Sequence, residues 1–253
     1  MPHLPTELLN NFQELIYRQC SLRFSPSRLI NLEMQLLERV KTRELPSYED
    51  YFQLLQDDLK EFDALIEGIT TKETHFFRLP EQFKALEKEV IPRIEERLSN
   101  DAQRLIEKEG WPGSREVPFR IWSAGCATGE EPYSIAMTLM DSLRYPRSRN
   151  LDVQKGRTCT FIKPDGNSED LDLLERLDMI FCRNVMIYFD FAAQQQLVEN
   201  LYACLKPGGY LFAGDAELLG IYKHDFETLD FEGAYFYRKP EIEEIQERAK
   251  QNG

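Results

Sequence analysis

A run of small residues followed by two acidic ones is the most chemically suggestive stretch of the chain, Ile121-Trp-Ser-Ala-Gly-Cys-Ala-Thr-Gly-Glu-Glu-Pro-Tyr-Ser134. Its apolar start and its helically spaced continuation predict a strand, a tight turn and a helix. Small residues at such a turn let a ligand approach the backbone and the N-terminus of the helix. Gly125 and Gly129 lack the spacing of a dinucleotide-binding motif, and no lysine follows them as in a phosphate-binding loop. Glu131 and the acid before it suit a ligand with hydroxyl groups or positive charge.

Composition excludes several classes of function. The 253-residue chain has a net charge of −13, whereas a general nucleic-acid binder or a protein held on an anionic membrane needs a basic face. Five scattered cysteines without a C-x-x-C pair and three histidines argue against a metal site and against a disulfide framework. With neither a secretory leader nor a long apolar stretch, we expect a soluble cytoplasmic monomer without membrane insertion.

Residues 1–67 are predicted to form helices only, because apolar residues recur there at helical spacing. Within them, Arg18–Arg43 holds six basic residues and two acidic ones. In so acidic a protein, this local excess of positive charge has two interpretations. It is either a solvated helix face or a docking surface for an acidic partner.

Residues 68–253 are predicted to mix helices and strands. A helix is expected at 83–98, buried strands at Leu177–Cys182 and Tyr210–Ala213, and a final hairpin at Phe226–Arg238. The chain from Ser99 to Glu116 is expected to be loop-like, with a stretch of charged helix. Between about 145 and 177 the pattern is weak, and only Thr158–Ile162 has the character of a strand.

Taken together, four stretches resemble the chemotaxis receptor methyltransferase (CheR) family. In chain order, the second and third of the four are specific to that family, and the resemblance covers nearly all of the chain except its middle and its tail. The four are the helical region through Thr70-Thr71, then Thr74-x-Phe76-Phe77-Arg78, Trp122-Ser-Ala-Gly-Cys-Ala-Thr-Gly-Glu-Glu-Pro-Tyr-Ser134, and Ile180-Phe-Cys-Arg-Asn-Val-Met-Ile-Tyr-Phe-Asp190, which Lys206-Pro-Gly-Gly-Tyr-Leu-Phe-Ala-Gly214 extends.

The resemblance implies an α/β fold, with a small all-helical domain (1–67) before a Rossmann-like S-adenosylmethionine methyltransferase domain (68–253). It implies S-adenosylmethionine as the cofactor, S-adenosylhomocysteine as its product, and γ-methyl esters of chemoreceptor glutamates as the methylated product. The basic stretch Arg18–Arg43 would dock the cytoplasmic helices of the receptor. Residues Arg78 and Tyr188 would lie next to the reacting methyl group, and the residues around the cofactor would be Thr74, Arg78, Gly125, Glu131, Arg183 and Asn184.

These residue types suit that reaction. A glutamate side chain has an ordinary pKa well below 7 and is already ionised at neutral pH, and the sulfonium methyl is already activated, so no general base is needed. The enzyme must remove water from the carboxylate and aim it. The guanidinium of Arg78 can hold one carboxylate oxygen while the other attacks, and Tyr188 can add a hydrogen bond. The alternatives are a core position for Tyr188 and a strand-end ion pair for Arg183.

The chain departs from the family at three places. Lys72 stands where the family has asparagine, and Gly214-Asp-Ala-Glu217 replaces Gly-His-Ser-Glu. The interval near 145–177 is too short for both the family's second strand and its β-subdomain. Thr158–Ile162 is then either a shortened second strand, with Asp165 as the ribose acceptor, or the third strand, with Asn167 near the adenine.

Three functions are therefore weighed. The first is methylation of chemoreceptor glutamates. The second is a catalytically degenerate relative that binds receptor or cofactor in signalling, which the short middle favours. The third is a methyltransferase with a different acceptor.

Overall fold

The computed structural model describes residues 4–70, 73–109, 119–142, 151–156, 177–242 and 244. Within 4–70 the chain forms four helices, α1 (Thr6–Cys20), α2 (Pro26–Thr42), α3 (Tyr48–Asp57) and α4 (Leu59–Ile69). Their buried residues recur at helical spacing, and side-chain caps begin two of them. Ser47 accepts a hydrogen bond from the Asp50 amide at 3.1 Å, and Asp58 accepts from Lys60 and Glu61. The predicted all-helical N-terminal region is confirmed.

A long helical segment leads from this region to the sheet. It consists of α5 (Pro80–Ala85), one π-helical turn at Leu86–Val90, and α6 (Ile91–Glu109). The charged helix predicted between Ser99 and Glu116 is present as far as Glu109, whereas the loop predicted from Ser99 is wrong over these residues. The stretch is polar and charged, which at the sequence level does not distinguish an exposed helix from a loop.

The sheet contains six strands in the part of the chain that the structure describes. The strands lie in the order β2-β1-β3-β4-β6-β5. β1, β2, β3 and β4 run parallel, and the β5–β6 hairpin is antiparallel. Helix α7 (Glu130–Ser142) follows β1, and α8 (Phe191–Cys204) follows β3. The strands are β1 (Phe119–Ala124), β2 (Leu151–Gly156), β3 (Leu177–Cys182), β4 (Leu205–Ala213), β5 (Glu227–Phe231) and β6 (Ala234–Arg238).

Alternation along the central strands divides the core between the two faces of the sheet. Trp122 and Ile180 pack toward the N-terminal helices and α8. Ile121 and Phe181 pack toward α5, α6 and α7 on the other face. This two-sided burial explains why β3 is buried along its whole length. The predicted Rossmann-like α/β fold is confirmed.

The weakly patterned middle contains a strand that the sequence did not reveal. β2 pairs in parallel with β1 along its full length, yet its sequence, Leu-Asp-Val-Gln-Lys-Gly, has only two apolar residues. Thr158–Ile162, Asp165 and Asn167 lie outside the described residues, so both interpretations of that segment stay predictions.

At the other end of the sheet, the sequence was more informative. The predicted hairpin is confirmed, with a two-residue turn at Glu232 (φ 51°) and Gly233 (φ 87°). β4 begins at Leu205, five residues before the predicted start at Tyr210, and within it the Gly208 amide donates to the Lys239 carbonyl at 2.8 Å. None of the described helices has the length and apolar composition needed to cross a membrane.

Candidate active site

A cavity of about 260 Å³ lies at the carboxyl ends of β1 and β3. Parallel strands bring the residues that follow them to one edge of the sheet, which is where α/β proteins bind ligands. Four segments that are distant in sequence line the cavity. They contribute Arg28 from α2, residues from Glu73 to Arg78 before α5, Gly125 to Glu131 after β1, and Arg183 to Tyr188 after β3.

The turn after β1 has the backbone that its small residues predicted. Gly125, Ala127 and Gly129 all have positive φ, at 68°, 47° and 107°, and the Gly129 amide donates to the Cys126 carbonyl at 2.9 Å. A non-glycine residue in this conformation is uncommon, and such strain collects at functional sites. The turn delivers the first residues of α7 to the cavity.

Glu131 lies in the first turn of α7 with its side chain 13% exposed. Ser123 Oγ donates to its Oε1 at 2.6 Å, and Arg183 Nη1 lies 3.4 Å from its Oε2. Burial raises the pKa of Glu131, and the charge of Arg183 opposes that rise. The carboxylate is thus held in the cavity wall at a cost that a cationic or hydroxyl-bearing ligand would offset.

Arg183 and Asn184 follow β3 and carry buried polar atoms that make no hydrogen bond within the described residues. Arg183 Nη2 donates to the Arg78 carbonyl, but Nε and Nη1 of Arg183 and Oδ1 of Asn184 make no hydrogen bond. Burial lowers the pKa of Arg183. Unsatisfied buried polar groups each cost roughly 1–3 kcal/mol, and they are uncommon in folded proteins. Their concentration in one cavity indicates a polar ligand.

Arg78 and Tyr188 face this cavity from two different segments. Arg78 Nη1 donates to the Glu73 carbonyl at 2.8 Å, and its neighbours Phe77 and Leu79 both have positive φ. Tyr188 ends a 3₁₀ turn (Met186–Tyr188) and is half-buried. It lines the cavity rather than the interior of the core. The ion pair of Arg183 with Glu131, considered above as an alternative, is present, but it lies in the same cavity wall.

The helical domain reaches the site through Arg28. Its guanidinium carbon lies 4.5 Å from the centroid of the Tyr188 ring, and its Nη1 donates to the Ile187 carbonyl at 3.0 Å. Nearby, the Arg23 amide donates to the Tyr188 carbonyl at 3.0 Å, and its side chain pairs with Asp190 at 3.1 Å. The turn that carries Tyr188 is therefore fastened to both parts of the molecule.

The basic stretch Arg18–Arg43 is not one free surface. Arg39 forms a two-pronged pair with buried Glu61, at 2.7 and 2.6 Å, and Arg43 lies 3.6 Å from Asp58. Arg18 pairs with Glu14 of its own helix. Of this stretch, Arg28 is the residue that lines the cavity.

All but one of the predicted site residues line this cavity. The exception, Asp165, lies outside the described residues. Sequence reasoning missed Arg28, Glu73 and Ser123 as part of the site, although the local excess of positive charge had marked the segment that holds Arg28. The residues that line it as predicted are Thr74, Arg78, Gly125, Glu131, Arg183, Asn184 and Tyr188.

Two further observations concern the thiol at the end of β3 and the side chains able to bind metal ions. Cys182 is fully buried, which raises the pKa of its thiol well above the ordinary value and makes it a poor nucleophile. In the described part of the chain, no cluster of histidine, cysteine, aspartate and glutamate has the arrangement of a metal site.

Comparison with known families assigns the two parts of the chain. Residues 72–154 and 147–234 match the model of the CheR methyltransferase, SAM binding domain, and residues 7–70 match that of the CheR methyltransferase, all-alpha domain. The chain belongs to the CheR methyltransferase family. Its cofactor is S-adenosylmethionine, and the chain is an S-adenosylmethionine-dependent methyltransferase.

Several curated relatives cover most of the chain. Chemotaxis protein methyltransferase 2 of Vibrio cholerae is 28% identical over 281 residues, covering 90% of this chain and 91% of the relative. Chemotaxis protein methyltransferase 2 of Pseudomonas aeruginosa is 28% identical, covering 85% and 88%. The chemotaxis protein methyltransferase of Escherichia coli is 29% identical, covering 81% and 82%.

The residues of the cavity fit this cofactor. S-adenosylmethionine carries a carboxylate, an ammonium group and ribose hydroxyls. The unsatisfied Nε and Nη1 of Arg183 are donors suited to a carboxylate, and the unsatisfied Oδ1 of Asn184 is an acceptor suited to an ammonium group. The buried carboxylate of Glu131 suits either a cation or hydroxyl groups.

Proposed function

We propose that this enzyme transfers the methyl group of S-adenosylmethionine to glutamate side chains of chemoreceptors, forming γ-methyl esters. Relatives over most of the chain are named chemotaxis protein methyltransferases. One observation carries the proposal. Arg183 and Asn184, which have buried polar atoms without hydrogen bonds, line the same cavity as Arg78 and Tyr188. The first two suit the cofactor, and the last two suit a carboxylate acceptor.

On the cofactor side, Arg183 and Asn184 would hold the amino-acid end, with Thr74 and Glu131 completing the wall. The bound cofactor supplies a methyl group that its sulfonium centre has already activated. The chain contributes binding and orientation, because the turn after β1 and the turn after β3 fix these groups on the rigid edge of the sheet. The negative charge of Glu131 also favours a cationic cofactor over its neutral sulfide product.

On the acceptor side, Arg78 would hold one carboxylate oxygen and leave the other free to attack. The phenol of Tyr188 would add a hydrogen bond, and the guanidinium of Arg28, packed on the Tyr188 ring, would keep that ring in place. A carboxylate that exchanges water for these fixed donors is aligned for attack without a large reorganisation. No residue has to remove a proton, since the acceptor is ionised at neutral pH.

Receptor docking by the basic stretch would then centre on Arg28. Arg39 and Arg43 are engaged with Glu61 and Asp58, whereas Arg28 opens onto the cavity beside the exposed Ile187. An acidic receptor helix would meet positive charge at the point where its glutamate enters.

The test combines binding with transfer. Calorimetry should detect binding of S-adenosylmethionine and of S-adenosylhomocysteine to the protein. In the transfer assay, radiolabel from the methyl group should enter a cytoplasmic fragment of the receptor as a base-labile ester. Replacing the acceptor glutamates by glutamine should abolish labelling. Cofactor binding without any transfer would favour a non-catalytic signalling role, and label on another residue type would favour another acceptor.

The Arg78→Ala variant tests the assignment of the acceptor site. Loss of one fixed donor to a reacting oxygen costs roughly 100- to 1,000-fold in turnover, so we expect kcat to fall by at least about 100-fold. The melting temperature should change little, because the side chain of Arg78 donates its hydrogen bond to the Glu73 carbonyl in an exposed position. Arg93→Ala, which removes an exposed arginine paired with Glu89, is the control. Full turnover in Arg78→Ala would show that the assignment is wrong.

A further inference from the structure

A buried carboxylate contacts the turn after β3 (residues 183–188) but does not line the cavity. Glu217 is 4% exposed and follows β4, the strand next to β3. Its Oε2 accepts hydrogen bonds from the amides of Asn184 at 2.7 Å and Gly214 at 3.0 Å. Its Oε1 accepts from the amide of Ile187 at 3.3 Å. One side chain thus ties the end of β4 to both halves of the turn after β3.

The contact at Gly214 leaves no room for a side chain. A Cβ atom at this position would lie 2.6 Å from Glu217 Oε2 and 2.9 Å from the Asn184 amide nitrogen. Distances this short force a shift of the backbone or of the carboxylate. Glycine therefore permits the approach that lets Glu217 reach Asn184, which itself has the uncommon φ of 59°.

Two of the amides that donate to Glu217 belong to the turn that lines the cavity, those of Asn184 and Ile187. Asn184 carries the unsatisfied Oδ1 that suits the cofactor, and Ile187 immediately precedes Tyr188. Ile187 lies within the 3₁₀ turn Met186–Tyr188 and Asn184 precedes it, and the amides of both donate to Glu217. A shift of this segment would move the cofactor and acceptor groups together.

We propose that Glu217 is a positioning residue for methyl transfer: its hydrogen bonds to Asn184 and Ile187 fix the turn that presents Asn184 to the cofactor and Tyr188 to the acceptor. This inference rests on the proposed function. It adds to it a residue that touches neither the cofactor nor the acceptor.

The chemistry of a carboxylate suits this task. Three amide donors need acceptors only, and an ionised glutamate has two oxygens and no donor of its own. Burial raises the pKa of Glu217, and the backbone amides of Asn184, Gly214 and Ile187 oppose that rise. A glutamine would turn its NH₂ group toward an amide N–H and lose at least one of the three bonds.

The experiment compares Glu217→Gln with Asp215→Asn. Asp215 is an exposed acid two residues away that acts on Arg183 through its charge, so its variant removes charge and leaves the three hydrogen bonds in place. Calorimetry measures the Kd of S-adenosylhomocysteine, and steady-state assays with a receptor fragment separate kcat from the acceptor KM. Hydrogen exchange reports the amides of Asn184 and Ile187.

For Glu217→Gln we expect kcat to fall at least tenfold, the Kd of S-adenosylhomocysteine to rise about tenfold, and the acceptor KM to stay within twofold. The two amides should exchange faster than in the unmodified protein. For Asp215→Asn all four quantities should stay within about twofold. A kcat within twofold in folded Glu217→Gln would overturn the proposal, as would equal losses in the two variants.

Two further results keep the inference separate from protein folding and from the proposed function. If Glu217→Gln does not fold, Glu217→Asp keeps the charge but is one methylene shorter, and it should show the same loss of kcat; a folded Asp variant with full kcat would overturn the proposal. If the unmodified protein transfers no methyl group to receptor glutamates, the proposed function fails. In that case the Kd of S-adenosylhomocysteine tests the positioning role of Glu217, and an unchanged Kd in Glu217→Gln would contradict that role.

Discussion

Two buried ion pairs in this molecule are built in opposite ways. In the helical domain, Glu61 is 3% exposed and accepts from Arg39 Nε at 2.7 Å, Arg39 Nη2 at 2.6 Å and the Tyr51 hydroxyl at 3.0 Å. In the cavity, Arg183 meets Glu131 at 3.4 Å and leaves its Nε and Nη1 without hydrogen bonds. The Arg39–Glu61 pair is complete within the chain, and we call it the closed pair. The Arg183–Glu131 pair is incomplete, and we call it the open pair.

The difference separates a structural pair from a binding pair. Removing charges from water costs several kcal/mol per ion, and only good geometry with satisfied hydrogen bonds recovers that cost. Arg39 and Glu61 have that geometry. Arg183 and Glu131 do not, and burial disfavours the charged form of each, lowering the pKa of Arg183 and raising that of Glu131. The open pair is therefore stabilised less by folding than by a ligand.

The largest expected effect tests the closed pair. Arg39→Ala leaves the carboxylate of Glu61 buried without its main partner, so we expect the free energy of unfolding to fall by about 3–5 kcal/mol. Urea denaturation measures the loss. Arg18→Ala, which breaks an exposed pair with Glu14, should cost no more than about 1 kcal/mol. Equal losses in the two variants would mean that the closed pair contributes nothing beyond an ordinary surface contact.

A smaller effect tests the open side of the cavity. Asn184→Gly keeps the left-handed backbone conformation and removes the carboxamide, so cofactor affinity should fall about tenfold, or about 1.4 kcal/mol, while stability changes little. Asn184→Ala should lose similar affinity and a further ~1 kcal/mol of stability, because alanine is strained at this φ. Calorimetry and thermal melting separate the two. Undiminished affinity in the glycine variant would exclude Asn184 from the cofactor site.

The smallest effect is a pH dependence of stability. The pKa of Glu131 in the folded protein is raised above its ordinary value of 4.5, so the folded state binds this proton more tightly than the unfolded state does. As the pH rises from about 4.5 toward the raised pKa, the unmodified protein should lose stability relative to Glu131→Gln. Above the folded-state pKa the difference should be constant. Urea titrations at several pH values measure it, and a difference of the opposite slope would contradict the assignment.

The candidate site was predictable to the extent that it depends on neighbours in sequence. Small residues before a helix predicted the turn at Gly125–Gly129, and the strand ending at Cys182 placed Arg183 and Asn184 together. Arg28 was not predictable as part of the site, because its partners are far away in the sequence. It donates to the carbonyl of Ile187, 159 residues further along the chain, and packs on the ring of Tyr188. β2 was missed because a strand with two apolar residues depends on its partner β1 for its structure.

The basic stretch shows the same division. Composition identified the excess of positive charge between Arg18 and Arg43 correctly. Whether each of these side chains is available to a partner depends on how the helices pack, since Glu61 lies on α4 and Arg39 on α2.

By itself the sequence determined the helical and α/β parts, the family, and the identity of half of the cavity-lining residues, because these follow from local periodicity and from contiguous motifs. Only the tertiary structure decided which charges are satisfied and which are left open. That outcome depends on distances between side chains far apart in the chain, and on burial, which fixes the cost of leaving a charge without a partner.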